Sequence, residues 1–94
     1  MGQSLSPHIP QPGSIVMYST TWCGYCRTLK NQLDRESISY TEINVEQVPE
    51  SALYVETVNG GNRVVPTVVF SDGTSATNPS LAVVKERMLA SATV

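Results

Sequence analysis

The sequence predicts an α/β fold in which a four-stranded mixed sheet carries helices on both faces, in the order β-α-β-α-β-β-α. Short β-branched runs alternate with helical stretches from Ser14 onward, which indicates a βαβ unit. Asp72-Gly73, a signal for a tight turn, separates the last two strands and makes them an antiparallel hairpin. With 94 residues, the chain has room for one small domain.

The first half of the chain contains a strand, a helix and a second strand. Ser14–Ser19 contains the apolar run Ile15-Val16-Met17-Tyr18 and is predicted as a strand. Gly24–Arg35 is predicted as a helix, because Leu29 and Leu33 lie one turn apart on its buried stripe. Ile38–Val45 alternates again and is predicted as the second strand.

The next helix is predicted from Pro49 to Val58, because proline suits a first turn where its missing N–H would be unpaired. Asn59-Gly60-Gly61 ends this helix with residues that accept a left-handed conformation. Thr67–Phe70 is a β-branched strand, and Thr74–Thr77 returns as a short edge strand.

The last helix is predicted to begin with Asn78 as its cap and Pro79 in its first position. Leu81, Val84 and Met88 give this helix an apolar stripe at helical spacing.

Composition bounds the partners that we expect. A formal net charge of −2 gives no reason to expect nucleic acid or an anionic membrane surface. No apolar run approaches the roughly 20 residues that span a bilayer. Residues 1–13 contain Pro7, Pro10 and Pro12 among polar residues and are predicted to form a flexible leader, followed by one domain over residues 14–94.

The two cysteines, the only ones in the chain, lie in Trp22-Cys23-Gly24-Tyr25-Cys26, where the first strand turns into the first helix. A disulfide that closes so short a loop removes little entropy from the unfolded chain, so a purely structural bridge is excluded. The pair is therefore redox-active or metal-binding, and both interpretations favour a reducing, cytoplasmic setting.

Cys23 is the predicted nucleophile, because a sulfur at a helix start meets unpaired N–H groups and the positive end of the helix dipole. Cysteines in such turns have pKa values of about 3.5–7.5 instead of about 8.5. Arg27 and Lys30 act in the same direction. Cys26 continues the Leu29 stripe, so we expect it to be more buried and able to displace a thiol bound to Cys23.

Other interpretations of the cysteine pair have less support. A closed zinc site needs four ligands, and only His8, in the leader, could join the cysteines. Two inert buried cysteines are also possible, but a cysteine at a helix start is in a position that makes a thiol reactive.

Val65-Pro66-Thr67 forms a second candidate site. A proline that opens a strand can mark a sheet edge. Alternatively, a cis Val65–Pro66 bond would present the Val65 backbone to an extended thiol ligand as a short β-augmentation.

These segments together resemble the glutaredoxin branch of the thioredoxin fold. The resemblance rests on Thr20-Thr21-Trp22-Cys23-Gly24-Tyr25-Cys26, on Val65-Pro66-Thr67 and on the element order, and covers the chain from about Ser14 onward. Within that branch the chain is most similar to mycoredoxins, the mycothiol-dependent redoxins. Val58-Asn59-Gly60-Gly61-Asn62-Arg63 and Thr77-Asn78-Pro79 add to this similarity.

The resemblance implies a thiol ligand, and the departures from ordinary glutaredoxins suggest which one. Those proteins usually have a lysine where this chain has Thr20, and acidic residues near the position of Thr77-Asn78-Pro79. Both differences remove charged contacts to glutathione, whereas mycothiol, a cysteinyl amino-sugar conjugate, lacks those charges. Thr20, Thr77 and Asn78 would then offer hydroxyl and amide groups to a sugar, although Thr77-Asn78-Pro79 could equally be a helix cap alone.

Trp22 and Tyr25 are predicted to flank the bound substrate, because exposed aromatic residues beside a nucleophile favour binding. Arg63 could contact the ligand or simply lie in solvent.

The resemblance therefore implies an enzyme that reduces mycothiol–protein mixed disulfides through Cys23, with mycothiol as co-substrate and no tightly bound cofactor or metal. We expect a cytoplasmic monomer that binds neither nucleic acid nor membrane. The alternative is a dithiol redoxin that donates electrons to ribonucleotide reductase or other disulfides and is recharged by a flavin-dependent reductase. Iron–sulfur carriage by a dimer and a redox-inert adaptor are further alternatives.

Overall fold

The computed structural model describes residues 9–61 and 64–92. The strands are β1 (Ser14–Ser19), β2 (Ser39–Asn44), β3 (Thr67–Val69) and β4 (Ser75–Thr77), and the helices are α1 (Gly24–Arg35), α2 (Pro49–Val58) and α3 (Leu81–Ala92). The sheet has the order β2-β1-β3-β4, with β1 parallel to β2 and the other two pairs antiparallel. This mixed sheet confirms the predicted element order. Most of the predicted leader, residues 1–8, lies outside the described residues.

Alternating side chains of β1 supply the two cores on opposite faces of the sheet. Ile15 and Met17 pack in one cluster with residues of α1, β3 and α3. Val16 and Tyr18 pack in the other cluster with residues of α2. Helices α1 and α3 therefore cover one face and α2 covers the other, as the period of two along a strand requires.

The apolar stripe of α3 is confirmed. Val84 is fully buried, and Leu81 and Met88 pack partly buried against the same cluster. None of the helices within residues 9–61 and 64–92 has the length and apolar character that a membrane crossing demands.

The start of α3 differs from the prediction. Asn78 has φ +47°, a left-handed conformation that asparagine tolerates, and its N–H donates to the carbonyl of Pro66 at 2.7 Å. The hydroxyl of Ser80 instead accepts the N–H of Val83 at 3.2 Å, which is the geometry of a helix cap. The predicted cap at Asn78, with Pro79 in the first turn, is therefore wrong, and the helix begins after Ser80.

The β3–β4 hairpin forms where it was predicted, but its turn is one residue longer. The N–H of Gly73 donates to the carbonyl of Phe70, and the N–H of Phe70 donates to the carbonyl of Thr74, both at 2.9 Å. Three residues therefore connect the paired positions Phe70 and Thr74 instead of two. The last of the three, Gly73, has a positive φ of +87°. The edge position of β4 is confirmed.

Candidate active site

Cys23 occupies the cap position at the start of α1. Its backbone is extended (φ −84°, ψ 110°), and its sulfur accepts the N–H of Cys26 at 3.1 Å. The first intrahelical bond runs from the N–H of Arg27 to the Cys23 carbonyl at 3.2 Å. The sulfur therefore lies where capping side chains usually place an oxygen, at the positive end of the helix dipole.

Cys26 lies one turn further on, and its sulfur is joined to that of Cys23 in a disulfide, with the two Cα atoms 5.3 Å apart. Cys26 belongs to the buried stripe of α1 together with Leu29 and Leu33. Cys23 is 6% exposed and Cys26 is 1% exposed, so the expectation that Cys26 is the more buried is confirmed. An incoming sulfur would reach Cys23 first.

The segment that leads into β3 lies beside Cys23. The Val65–Pro66 peptide bond is cis, the second of the two alternatives that the sequence left open, and the Val65 carbonyl oxygen lies 3.8 Å from Cys23 Sγ. Thr67 Oγ1 donates to the Val64 carbonyl at 2.8 Å, and the N–H of Asn78 donates to the Pro66 carbonyl. These bonds hold the Val65 backbone next to the sulfur.

An open groove of about 440 Å³, here called the substrate groove, lies over Cys23. The residues that line it are Trp22, Cys23, Gly24, Tyr25, Val64 and Val65. Trp22 is 68% exposed and Tyr25 is 71% exposed, which confirms that two aromatic side chains flank the nucleophile in the open. The groove therefore combines an apolar rim with the backbone of Val65.

A smaller cavity of about 210 Å³, here called the neutral cavity, adjoins the substrate groove through Tyr25. Its lining residues are Tyr25, Thr28, Leu29, Gln32, Asn78, Pro79 and Ser80. All of these described residues are uncharged, and they offer hydroxyl and amide groups.

A third opening of about 430 Å³, here called the polar cavity, touches both cysteines. Its lining residues are Thr20, Thr21, Cys23, Cys26, Arg27, Lys30, Glu42, Asn44 and Gln47. Thr20 is 7% exposed, and among the described residues its Oγ1 has no hydrogen-bond partner. A buried hydroxyl without a partner is available to a ligand that enters the cavity.

Glu42 places a carboxylate in the wall of the polar cavity. It accepts hydrogen bonds from Ser19 Oγ at 2.5 Å and from Lys30 Nζ at 3.1 Å. Burial by itself raises the pKa of Glu42, but the hydrogen bonds from Ser19 and Lys30 and the charge of Lys30 hold that pKa below its ordinary value. The carboxylate is therefore ionised at neutral pH. It neutralises the charge of Lys30, which with Arg27 is one of two cationic residues lining the polar cavity.

One predicted ligand residue, Thr77, is hydrogen-bonded to the end of α2. The hydroxyl of Thr77 donates to Asn59 Oδ1, and the Asn59 amide donates to the Val55 carbonyl at 2.8 Å and to Thr67 Oγ1 at 3.1 Å. Thr77 is thus tied to the end of α2. Arg63 lies outside the described residues.

Sequence reasoning missed the acidic and amide residues contributed by β2 and the loop that follows it. Glu42, Asn44 and Gln47 line the polar cavity, and Glu46 accepts a hydrogen bond from Trp22. A signal for them existed, because parallel strands end at the same edge of a sheet. Ser19 pairs with Asn44, so the residues after β2 had to lie beside the loop that carries Cys23.

The arrangement around Cys23 suits sulfur chemistry. Within residues 9–61 and 64–92, no three side chains of the His, Cys, Asp or Glu type are grouped to hold an ion. A capped sulfur, a second sulfur in bonding distance and an open groove are instead the parts that thiol–disulfide exchange needs. The fold and the site together define a thiol–disulfide oxidoreductase.

Comparison with known proteins specifies the family. The family model described as Glutaredoxin matches residues 15–75, and the chain belongs to the glutaredoxin family. Mycoredoxin 1 of Corynebacterium glutamicum is 49% identical over 69 residues, which cover 73% of this chain and 85% of that protein. A Mycobacterium tuberculosis protein whose name also places it among the glutaredoxins is 46% identical over 76 residues, or 81% of this chain and 90% of that protein.

Solved structures agree on the fold. The glutaredoxin of Archaeoglobus fulgidus superposes with a TM-score of 0.64 at 23% identity, over 77% of this chain and 82% of that chain. The glutaredoxin of Methanosarcina mazei superposes with a TM-score of 0.69 at 18% identity, over 82% and 79%. Both therefore support the thioredoxin-like architecture on which the site is built.

Proposed function

We propose that this glutaredoxin reduces mixed disulfides between protein thiols and mycothiol in a reducing cytoplasm, through a monothiol cycle at Cys23. The Cys23 thiolate attacks the mycothiol sulfur, the substrate protein leaves as a thiolate that takes up a proton, and Cys23 becomes bonded to mycothiol. The thiolate of a second mycothiol then attacks the bound mycothiol sulfur. Mycothiol disulfide is released, and the Cys23 thiolate is regenerated.

The uncharged lining of the neutral cavity is the observation that carries the choice of thiol. Glutathione presents two carboxylates and an ammonium group, and any of these groups that entered the neutral cavity would lose its hydration without gaining a charged partner. The sugar hydroxyls of mycothiol instead need neutral donors and acceptors, such as the Gln32 and Asn78 amides and the Ser80 hydroxyl. The resemblance to a protein named Mycoredoxin 1 supports the same ligand.

Contacts on both sides of Cys23 would orient the ligand. Thr20 offers its unpartnered hydroxyl from the polar cavity, and Asn78 offers its amide from the neutral cavity. Thr77 donates its proton to Asn59, so towards a ligand its hydroxyl would act as an acceptor. Trp22, Tyr25 and the backbone before Pro66 would hold the peptide side of the substrate in the groove.

A comparison of two model substrates tests the choice of thiol. One peptide, prepared as its mixed disulfide with mycothiol or with glutathione, is reduced by the same protein sample with the matching free thiol. We expect the mycothiol reaction to have a value of kcat/KM about tenfold higher or more, which corresponds to about 1.4 kcal/mol of transition-state binding. Asn78→Asp adds a carboxylate to the neutral cavity and should lower the ratio of kcat/KM for the mycothiol substrate to kcat/KM for the glutathione substrate. Equal rates, or faster reduction of the glutathione disulfide, would contradict the proposal.

The dithiol route remains a second candidate, because the two cysteines are close enough to be joined as a disulfide. In that route Cys26 displaces the mixed disulfide on Cys23, and a flavin-dependent reductase or another thiol must then reduce the Cys23–Cys26 bond. Ribonucleotide reductase or other disulfide proteins would be the acceptors. In either route we propose that the protein acts as a monomer.

The Cys26→Ser variant separates the two routes. In the monothiol cycle Cys26 takes part only in a side reaction, so we expect the variant to retain at least about half of the mycothiol-coupled turnover. Turnover is followed by the release of mycothiol disulfide under steady-state conditions. A collapse of turnover in Cys26→Ser, with Cys23 trapped as a mixed disulfide, would favour the dithiol route instead.

A further inference from the structure

We propose that Glu46 is a positioning residue that holds the indole of Trp22 as the fixed wall of the substrate groove. The inference concerns the peptide side of the substrate and does not depend on whether mycothiol or another thiol is the reductant. Glu46 lies 24 residues from Trp22 in the chain, in the loop between β2 and α2.

The contact between the two side chains is short. Trp22 Nε1 donates to Glu46 Oε2 at 2.7 Å, within the range of charge-assisted hydrogen bonds. Trp22 is 68% exposed, so packing against the protein contributes little to its orientation. A single charge-assisted bond is then the principal restraint on a large ring directly before the nucleophile.

The backbone of Glu46 is itself anchored. The N–H of Glu46 donates to Asn44 Oδ1 at 2.8 Å, and the Asn44 carbonyl accepts the N–H groups of Gln47 at 3.1 Å and Val48 at 3.2 Å. The N–H of Val45 donates to the Ser19 carbonyl at 3.0 Å, which ties the loop to the end of β1. Glu46 can therefore transmit a fixed position to the indole.

The other aromatic residue of the groove differs in this respect. Tyr25 is 71% exposed, and within the part of the chain that the structure describes its hydroxyl has no hydrogen-bond partner. The groove therefore has one restrained wall, Trp22, and one adjustable wall, Tyr25. An extended peptide that lies along Val65 would meet a rigid indole on one side and a side chain that can adapt on the other.

A restrained wall affects binding more than chemistry. Ordering a free side chain on association costs about 0.5–1.5 kcal/mol, and a side chain that is already held in place does not incur this cost. Without Glu46, this cost falls on substrate binding, so the half-saturating substrate concentration rises. The cap bond of Cys23 is made with the N–H of Cys26 and not with Glu46, so the limiting rate of sulfur attack should change little.

The experiment uses the reduced protein in single turnover with a disulfide-linked model peptide in excess. The dithiol reduces one peptide disulfide to two thiols and itself becomes the Cys23–Cys26 disulfide, which is counted by mass spectrometry after acid quenching and alkylation. For Glu46→Leu we expect the half-saturating concentration to rise about two- to tenfold, with a limiting rate within about twofold of the parent value. Since Trp22 is the single tryptophan, time-resolved fluorescence anisotropy should show faster motion of the ring.

Two matched variants make the result specific. Glu46→Gln keeps an acceptor and removes the charge, so it should restore most of the binding and of the anisotropy. In a Trp22→Phe background, which has no indole N–H, Glu46→Leu should have no further effect on the half-saturating concentration. Unchanged binding and anisotropy in Glu46→Leu, an equal loss in Glu46→Gln, or a full effect of Glu46→Leu in the Trp22→Phe background would each overturn the proposal.

Discussion

Replacement of Cys23 by serine is expected to abolish disulfide exchange while leaving the fold intact. Serine is among the preferred helix caps, so its hydroxyl can accept the Cys26 N–H that the sulfur now accepts at 3.1 Å. A hydroxyl, however, cannot form a disulfide and is hardly ionised at neutral pH. We therefore expect turnover to fall by at least about a thousandfold, which corresponds to about 4 kcal/mol in the activation free energy.

The measurement is steady-state reduction of a mixed-disulfide peptide, with thermal unfolding of the reduced proteins recorded in parallel. Cys26→Ser is the matched control, because it makes the same chemical change one turn further along α1. An unfolding midpoint close to that of the reduced parent protein would show that lost activity reflects lost chemistry. Residual turnover of Cys23→Ser at a tenth of the parent rate or more would mean that Cys26, and not Cys23, is the attacking sulfur.

The sequence was sufficient to predict the helices whose own residues form an apolar stripe or mark a helix end. Leu29 and Leu33 define the buried stripe of α1, and Val84 with its neighbours does so for α3. Pro49 defines the first turn of α2 and Gly60, at φ +67°, follows its end. In each case the local preference and the packed structure agree, so local reasoning is enough.

The start of α3 could not be predicted because three successive residues, Asn78, Pro79 and Ser80, all suit a helix beginning. The choice among them is made by a contact distant in sequence. The N–H of Asn78 is bonded to the Pro66 carbonyl, which draws Asn78 out of the helix and leaves Ser80 to cap it. Local preferences that compete equally are decided by tertiary contacts.

The candidate site likewise combines residues that local reasoning predicts with residues that only tertiary contacts bring there. The helix-start position of Cys23 and the exposure of Tyr25 follow from neighbouring residues, and both were predictable. Glu42 and Glu46 reach the site only through the register of β1 with β2, in which Ser19 lies opposite Asn44. Such residues become candidates only when the sheet edge that carries Cys23 is considered as a whole.

Replacement of Phe70 by alanine is expected to have the largest effect on stability. Phe70 is fully buried, directly follows β3 and packs in the cluster formed by the sheet, α1 and α3. Its ring also lies under the Arg87 guanidinium, 4.7 Å from the ring centroid. Truncation of a buried phenylalanine costs about 3–5 kcal/mol, a large part of the roughly 5–15 kcal/mol that stabilises a typical protein.

Urea unfolding of the reduced protein, followed by far-ultraviolet circular dichroism, measures the free energy of unfolding for each variant. Leu89→Ala is the matched control, since it also removes a large apolar side chain but at a position that is 71% exposed, where we expect a change within about 0.5 kcal/mol. Because β3 begins directly after Pro66, a weakened Phe70 cluster should also loosen the Val65 segment beside Cys23. If Phe70→Ala unfolds at the same urea concentration as Leu89→Ala, the cluster between α3 and the sheet does not hold the domain together.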